Sequence, residues 1–438
     1  MLGQVIFLLM LVAGIALFSR NVGRIRRNIR LGRPVDRSDK KSLRWKTMAL
    51  VALGQSKMVV RPVAGIMHIL IYVGFILINL EVLEIIIDGA FGTHRIFGAT
   101  VPGFYSVLIG SFEFLALGVL LACVIFLARR NLLRIRRFSG VEMKAWPKSD
   151  ANLILIAEIL LMTAFLTMNG ADYVLQLMGT DGYIRAGAYP VSSHLMLLLP
   201  GTREGLIGVE RFCWWFHIVG IIIFLNYIPY SKHFHIFLSF PNTWYAKLVP
   251  MGQFKNMESV TQEVKAALDP AFTPAIPLTG AVPENFGAKD IRDLSRVNLM
   301  NAYACTECGR CTAVCPANLT GKLLSPRKIM MDTRDRLEEA GRNIDRHGKD
   351  HDDGKSLLGD YISTEELWAC TTCNACVEAC PVLIDPLEII MELRQYLVME
   401  ESKAPQSWNN MFNNTENNAA PWQFPPADRL KWAKPDET

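Results

Sequence analysis

Apolar residues dominate the chain up to about residue 230 and thin out beyond it. Five stretches, roughly 2–19, 62–87, 103–128, 152–178 and 207–230, carry few charges, and all but the first reach the ~20 residues that cross a bilayer core. The pattern predicts five membrane-spanning helices. The first stretch is short, but Arg-rich sequence follows it, not a small-residue cleavage site. A cleaved signal carries its positive charges ahead of the apolar core, so an uncleaved first helix is expected. From 240 to 300 polar and apolar positions mix with several prolines, as in a connecting segment. Charged, helix-favouring sequence runs from Arg327 to Arg342, and beyond Leu397 the chain is rich in Asn and Pro.

Charge between the apolar stretches sets an orientation. Thirteen Lys and Arg lie from Arg20 to Arg61 and seven from Arg129 to Lys148, whereas the alternate loops carry only Arg95, Arg185 and Arg203. By the positive-inside rule the N-terminus faces out and the basic loops face the cytoplasm. Five spans then place residues 231–438 in the cytoplasm, beneath an inner membrane. A nucleic-acid role for the basic loops is a poorer account, because they flank spans. Hydrophobic residues make up 51% of the 438 positions, with positive mean hydropathy, which fits a membrane half joined to a water-soluble half.

Eight of the ten cysteines form two copies of Cys-x2-Cys-x2-Cys-x3-Cys-Pro. The copies are Cys305, Cys308, Cys311, Cys315 with Pro316, and Cys370, Cys373, Cys376, Cys380 with Pro381. This run ligates [4Fe–4S] clusters in bacterial ferredoxins, the fourth cysteine serving the other copy's cluster. Structural zinc uses four ligands in Cys-x2-Cys pairs and disulfides need an oxidising compartment; neither explains the doubled run. The expected ligand sets are Cys305, Cys308, Cys311 with Cys380, and Cys370, Cys373, Cys376 with Cys315. Cys123 and Cys213 sit in apolar surroundings and read as packing.

Histidines within or beside the spans add a second chemistry. His68 and His217 lie inside predicted spans, His233 and His235 at the end of the fifth. A histidine at such depth is costly and implies a role, for which axial ligation of haem iron is the obvious one. On a continuous helix His217 and His235, eighteen residues apart, share a face but stand ~27 Å apart along it. Depth pairs His68 with His235 around one haem b near the cytoplasmic side. His217 lacks an obvious partner, since ten residues past His68 stand Ile78 and Asn79; it reads either as a hydrogen-bonding group or as a ligand of a second haem b whose other ligand is unidentified. Glu81, Glu84 and Asp88 share one face of the second span. They read either as interfacial groups or as proton acceptors beside a quinone.

The stretch from His217 through Pro229, Tyr230, Ser231, Lys232 to His235 resembles the last span of the nitrate reductase gamma subunit family. That resemblance implies five spans and b haems held from spans two and five. His68, His217 and His235 fall on three of its four ligand positions; the fourth is Ile78 here. With the doubled cysteine run, residues 1–400 resemble the membrane-bound heterodisulfide reductase-like iron–sulfur oxidoreductases. Relatives of that kind often carry paired-cysteine domains, and no cysteine follows Cys380.

The expected fold is all-α, a five-helix transmembrane bundle followed by a cytoplasmic α-helical ferredoxin domain. Its expected parts are a haem b membrane domain (1–238), a linker covering the membrane face (239–284), a two-[4Fe–4S] domain (285–400) and an extended tail (401–438) whose Trp408, Trp422, Phe424 and Trp432 suit docking. The expected function is electron transfer between a flavin or cysteine-rich partner subunit and quinone. The alternatives are quinol-driven reduction of a cytoplasmic disulfide or sulfur compound through a partner, and a redox-sensing or assembly anchor without turnover. No nucleotide-binding glycine motif or nucleophile constellation marks a substrate site of its own.

Overall fold

The computed structural model describes residues 1–133, 135–185, 187–254, 256–273, 286–423 and 425–433. Five helices are long and apolar enough to cross a membrane: α1 (Leu2–Ile29), α2 (Pro62–Phe91), α3 (Pro102–Asn131), α4 (Trp146–Leu177) and α5 (Arg203–Tyr227). Their ends follow local chemistry. Pro62 and Pro102 open α2 and α3, where a missing N–H costs nothing, and Gly92, at φ +72°, closes α2 in the left-handed conformation. Thr202 caps α5 by accepting from the Gly205 N–H at 3.3 Å. Helix α1 outruns its predicted span because the Arg-rich segment after residue 19 stays helical and finds partners: Arg27 donates to the Gly341 carbonyl at 2.9 Å.

Within the bundle α2 packs on α3, α3 on α4 and α4 on α5, while α1 leans on α2 and α5. Small residues set the α2–α3 approach. A β-carbon at Gly74 would stand 2.5 Å from Val119 Cγ2, and one at Gly118 would stand 2.4 Å from Leu70 Cδ2. Lipid tails are as apolar as these side chains, so close backbone packing supplies the attraction between such helices.

The fifth span does not continue as a straight helix to His235. Pro229 falls in a single 3-10 turn, Ile228–Tyr230, and Ser231 restarts the chain by accepting from the His233 N–H at 3.1 Å. His235 opens a separate helix, α6 (His235–Trp244). The helical spacing argued between His217 and His235 therefore does not hold. The His235 ring nonetheless lies near that of His68, with centroids 6.4 Å apart.

The cysteine-bearing half is also helical, with no named strand among the described residues, only two isolated bridges. Helix α7 (Arg296–Ala304) starts in a reciprocal capping box of Ser295 and Asn298 and ends at Cys305. Helices α8 (Pro326–His347) and α9 (Pro386–Met399) close around it, burying Leu299, Ile329, Leu337, Leu357, Ile389 and Leu393. The end of α1 joins this packing through Asn28, which donates to the Tyr303 hydroxyl at 3.1 Å.

Two segments depart from the sequence reading. Part of the expected linker is helical, since α6 runs to Trp244 and another helix covers Glu258–Leu268; its residues 255 and 274–284 lie outside the described residues. The expected extended tail contains α10 (Gln406–Asn418). Trp408, Met411 and Phe412 fall at helical spacing on α10, and Trp408 meets Trp368 edge-on at 4.8 Å, so an aromatic anchor offsets the low helix propensity of asparagine. Phe424 lies outside the described residues.

Candidate functional site

The two cysteine runs build two cavities side by side. Cys305, Cys308, Cys311, Cys376 and Cys380 line one of about 400 Å³. Cys315, Cys370, Cys373 and Cys376 line the other, of about 330 Å³. Each fourth cysteine thus stands in the cavity of the other run, the arrangement expected for cross-ligation. Two copies of one loop conformation shape the cavities. Glu307 and Thr372, two residues past the first cysteine of each run, have φ of +54° and +56°; Gly309 and Asn374, one past the second, have +70° and +60°. Backbone N–H groups are turned toward sulfur: Thr372 N lies 3.4 Å from Cys370 Sγ, and Ile384 N lies 3.3 Å from Cys380 Sγ.

Burial pushes the Cys305 and Cys376 thiols up to about 12 and that of Cys380 to about 11. Thiols so placed need a metal's charge to become thiolates. No three His, Cys, Asp or Glu side chains among the described residues converge on a position for a single ion. Ligands of a lone ion sit ~2.3 Å from it, so thiols spread around a wider cavity suit a multi-iron core. Cys373 is exposed, Cys305, Cys315 and Cys376 are buried, and the other four are half-buried.

The loop of the first cavity rests on the basic end of the bundle. Arg310 donates to the Lys57 and Met58 carbonyls at 2.8 and 3.3 Å. Arg327, behind Gly309, pairs with Glu142 at 2.6 Å in the connection between α3 and α4. Glu307 forms an ion pair with Lys232 and accepts from Arg334 at 2.8 Å, all three being buried or nearly so. These docking residues have no signature in sequence, because each is an ordinary charged residue until its partner is placed beside it.

At the same end of the bundle, the His68 and His235 rings face each other with centroids 6.4 Å apart. His235 Nδ1 lies 3.0 Å from the Lys232 carbonyl; donating there leaves Nε2 with a free lone pair. His68 Nδ1 and His233 Nε2 are buried without hydrogen-bond partners. His217 is deep in the bundle, Nδ1 3.0 Å from the Leu161 carbonyl and its ring near Phe165. Ile78 is buried among apolar side chains and brings no ligand toward it.

The acidic residues at the ends of the spans are buried within the protein. Glu81, Glu84, Asp88, Glu113, Asp172 and Glu210 are all buried at the far end of the bundle, around Arg95. Glu84 accepts from Phe97 N at 2.8 Å, and Glu113 accepts from Val191 N at 2.8 Å and Ser192 N at 3.1 Å. They satisfy loop backbone where lipid offers no partner.

A helical bundle of five membrane-length spans carrying two cysteine-lined cavities has the layout of a membrane-bound iron–sulfur protein. Residues 304–384 match the family described as a 4Fe-4S dicluster domain. Over 410 residues the chain is 29% identical to a probable iron-sulfur-binding oxidoreductase, FadF, of Bacillus subtilis, covering 86% of this chain and 53% of that protein. It is 26% identical over 424 residues to the EtfAB:quinone oxidoreductase of Syntrophomonas wolfei, covering 91% and 55%. A probable membrane-anchored ferredoxin of Chromohalobacter salexigens is 33% identical over 162 residues, 34% of this chain and 24% of that protein. The relatives matched along most of the chain are named oxidoreductases, and the chain spans about half the length of each. No solved structure matches.

Proposed function

We propose that the chain is an electron-transfer subunit of the inner membrane, passing electrons between a cytoplasmic flavin or iron–sulfur partner and the quinone pool. The observation that carries this reading is the placement of the Cys305 cavity against the bundle end that bears His68 and His235. Two [4Fe–4S] clusters and a haem b supply one-electron carriage when bound. Cys305, Cys308, Cys311 and Cys380 hold one cluster; Cys370, Cys373, Cys376 and Cys315 hold the other. His68 and His235, whose ring centroids stand 6.4 Å apart, would hold the haem iron through neutral imidazole nitrogens. The Lys232 carbonyl fixes the His235 tautomer. His217 keeps a hydrogen-bonding role, because Ile78 offers no second ligand for another haem.

The protein's own part is to hold these groups close, dry and in order. The basic loops keep the cluster domain at the cytoplasmic face. The partner, a separate subunit with a flavin or cysteine-rich domain, meets the domain there. A relative named EtfAB:quinone oxidoreductase supports reduction of quinone as the working direction. The test is addition of a quinol analogue to the purified, cofactor-loaded protein, followed by optical and EPR spectra. Reduction of haem and clusters is expected; a protein whose haem and clusters both stay oxidised overturns the reading.

A further inference from the structure

The two cysteine loops share a backbone but not their side chains, and the differences fall where the first loop meets the membrane helices. Copy one reads Cys305-Thr306-Glu307-Cys308-Gly309-Arg310-Cys311, and copy two Cys370-Thr371-Thr372-Cys373-Asn374-Ala375-Cys376. Glu307 and Thr372 hold the same left-handed conformation, +54° and +56°. The turn therefore belongs to the motif, while the charge at Glu307 belongs to this copy. A buried carboxylate is costly unless paired, and here it is paired twice, with Lys232 and with Arg334 at 2.8 Å. The main chain of Lys232 is fixed in turn, its N–H donating to Asp150 at 3.1 Å and its carbonyl accepting from His235. Arg310 reaches the Lys57 carbonyl at 2.8 Å, just before the helix that carries His68. Ala375, its counterpart, has no polar group to offer.

We propose that Glu307 and Arg310 are positioning residues that seat the Cys305 cage on the membrane helices, so that electrons cross between membrane and domain at that cage. They meet the soluble partner at the other cage, where Cys373 is exposed. This rests on the electron-transfer reading above. Electrons move one at a time, one cage being oxidised as its neighbour is reduced, and no bond is made or broken in the domain.

The test replaces copy one's residues by copy two's, Glu307→Thr with Arg310→Ala, in the full cofactor-loaded chain. Iron and sulfide content is expected to stay at the unsubstituted level, because the second loop holds its cage with those residues. Reduction of haem by a quinol analogue is expected to be unchanged, while electrons reach the clusters roughly tenfold more slowly or worse, since misplacement of even 1 Å can cost that much. The potential of the Cys305 cluster, read by EPR titration, should move and that of its neighbour should not. Glu307→Asp should restore part of the rate. Unchanged transfer and unchanged potential overturn the proposal. If the double variant loads poorly, Lys232→Met removes the same contact from outside the cysteine loop, and normal transfer there overturns it equally. A failure of the underlying reading looks different, since the unsubstituted protein would not be reduced at all.

Discussion

Arg95 Nε donates to Asp172 Oδ2 at 2.8 Å, tying the loop after the second span to the end of the fourth. The same guanidinium meets Glu81 at 2.6 Å and the Tyr105 hydroxyl at 3.2 Å, and Arg95 is only 5% exposed. It therefore neutralises carboxylates that have no water to turn to. Replacing it strands those charges, and breaking a buried pair in this way costs about 3–5 kcal/mol. Arg95→Met is expected to lower the thermal midpoint of the detergent-solubilised protein strongly, and Tyr105→Phe only slightly. Equal midpoints for Arg95→Met and the parent chain would remove Arg95 from the centre of the network.

Crossed ligation makes a prediction that sequence order does not. Cys380→Ala should destroy the cluster of Cys305, Cys308 and Cys311 and leave its neighbour in place. Total iron should fall by half, and the EPR signal that survives should match the one that survives in Cys308→Ala. A survivor matching that of Cys373→Ala would mean uncrossed cages.

The histidines separate by role. His68→Ala and His235→Ala should each abolish the low-spin b spectrum while iron–sulfur content stays normal. His217→Ala should retain that spectrum at full intensity, with a loss of stability of roughly 0.5–1.5 kcal/mol from the lost hydrogen bond to the Leu161 carbonyl. A halved b signal in His217→Ala would instead mean a second haem.

Gly287 tests where the cluster domain begins. Its φ is +80°, and a β-carbon there would lie 2.3 Å from the Glu392 carbonyl oxygen. Gly287→Ala forces both a strained backbone and a backbone clash, each worth about 1–3 kcal/mol. Reduced melting of the cluster domain, with the b spectrum intact, is the expected result.

Hydropathy made the five spans readable, because lipid permits little but long apolar helices. The cysteine runs were readable because spacing and ligand type coincide. The nearness of His68 to His235 was readable from depth alone, even though the helical phase used to relate His235 to His217 fails at Pro229. What stayed illegible depends on partners far apart in sequence. Glu84 reads in a row of letters as an interfacial group or a proton acceptor, and only the loop folded over it reveals a backbone N–H needing an acceptor. Glu307 looks like a spacer between cysteines until Lys232 is beside it. In the tail, a low-propensity Asn-rich segment is held helical beside an aromatic contact, Trp408 on Trp368, that no local pattern announces.

The end of α1 has a further consequence, one of timing. Asn28 bonds Tyr303, 275 residues later, Arg27 pairs with Asp345, and Arg33 exchanges backbone hydrogen bonds with Leu294 and Arg296. Helix α1 is made long before these partners, so its basic end waits unsatisfied until the cysteine-bearing half is made. Contacts of such long sequence separation form slowly. Assembly is therefore gated late, when the cysteine domain closes on α1, and a chain interrupted before residue 303 would insert its spans yet leave that end open to proteolysis.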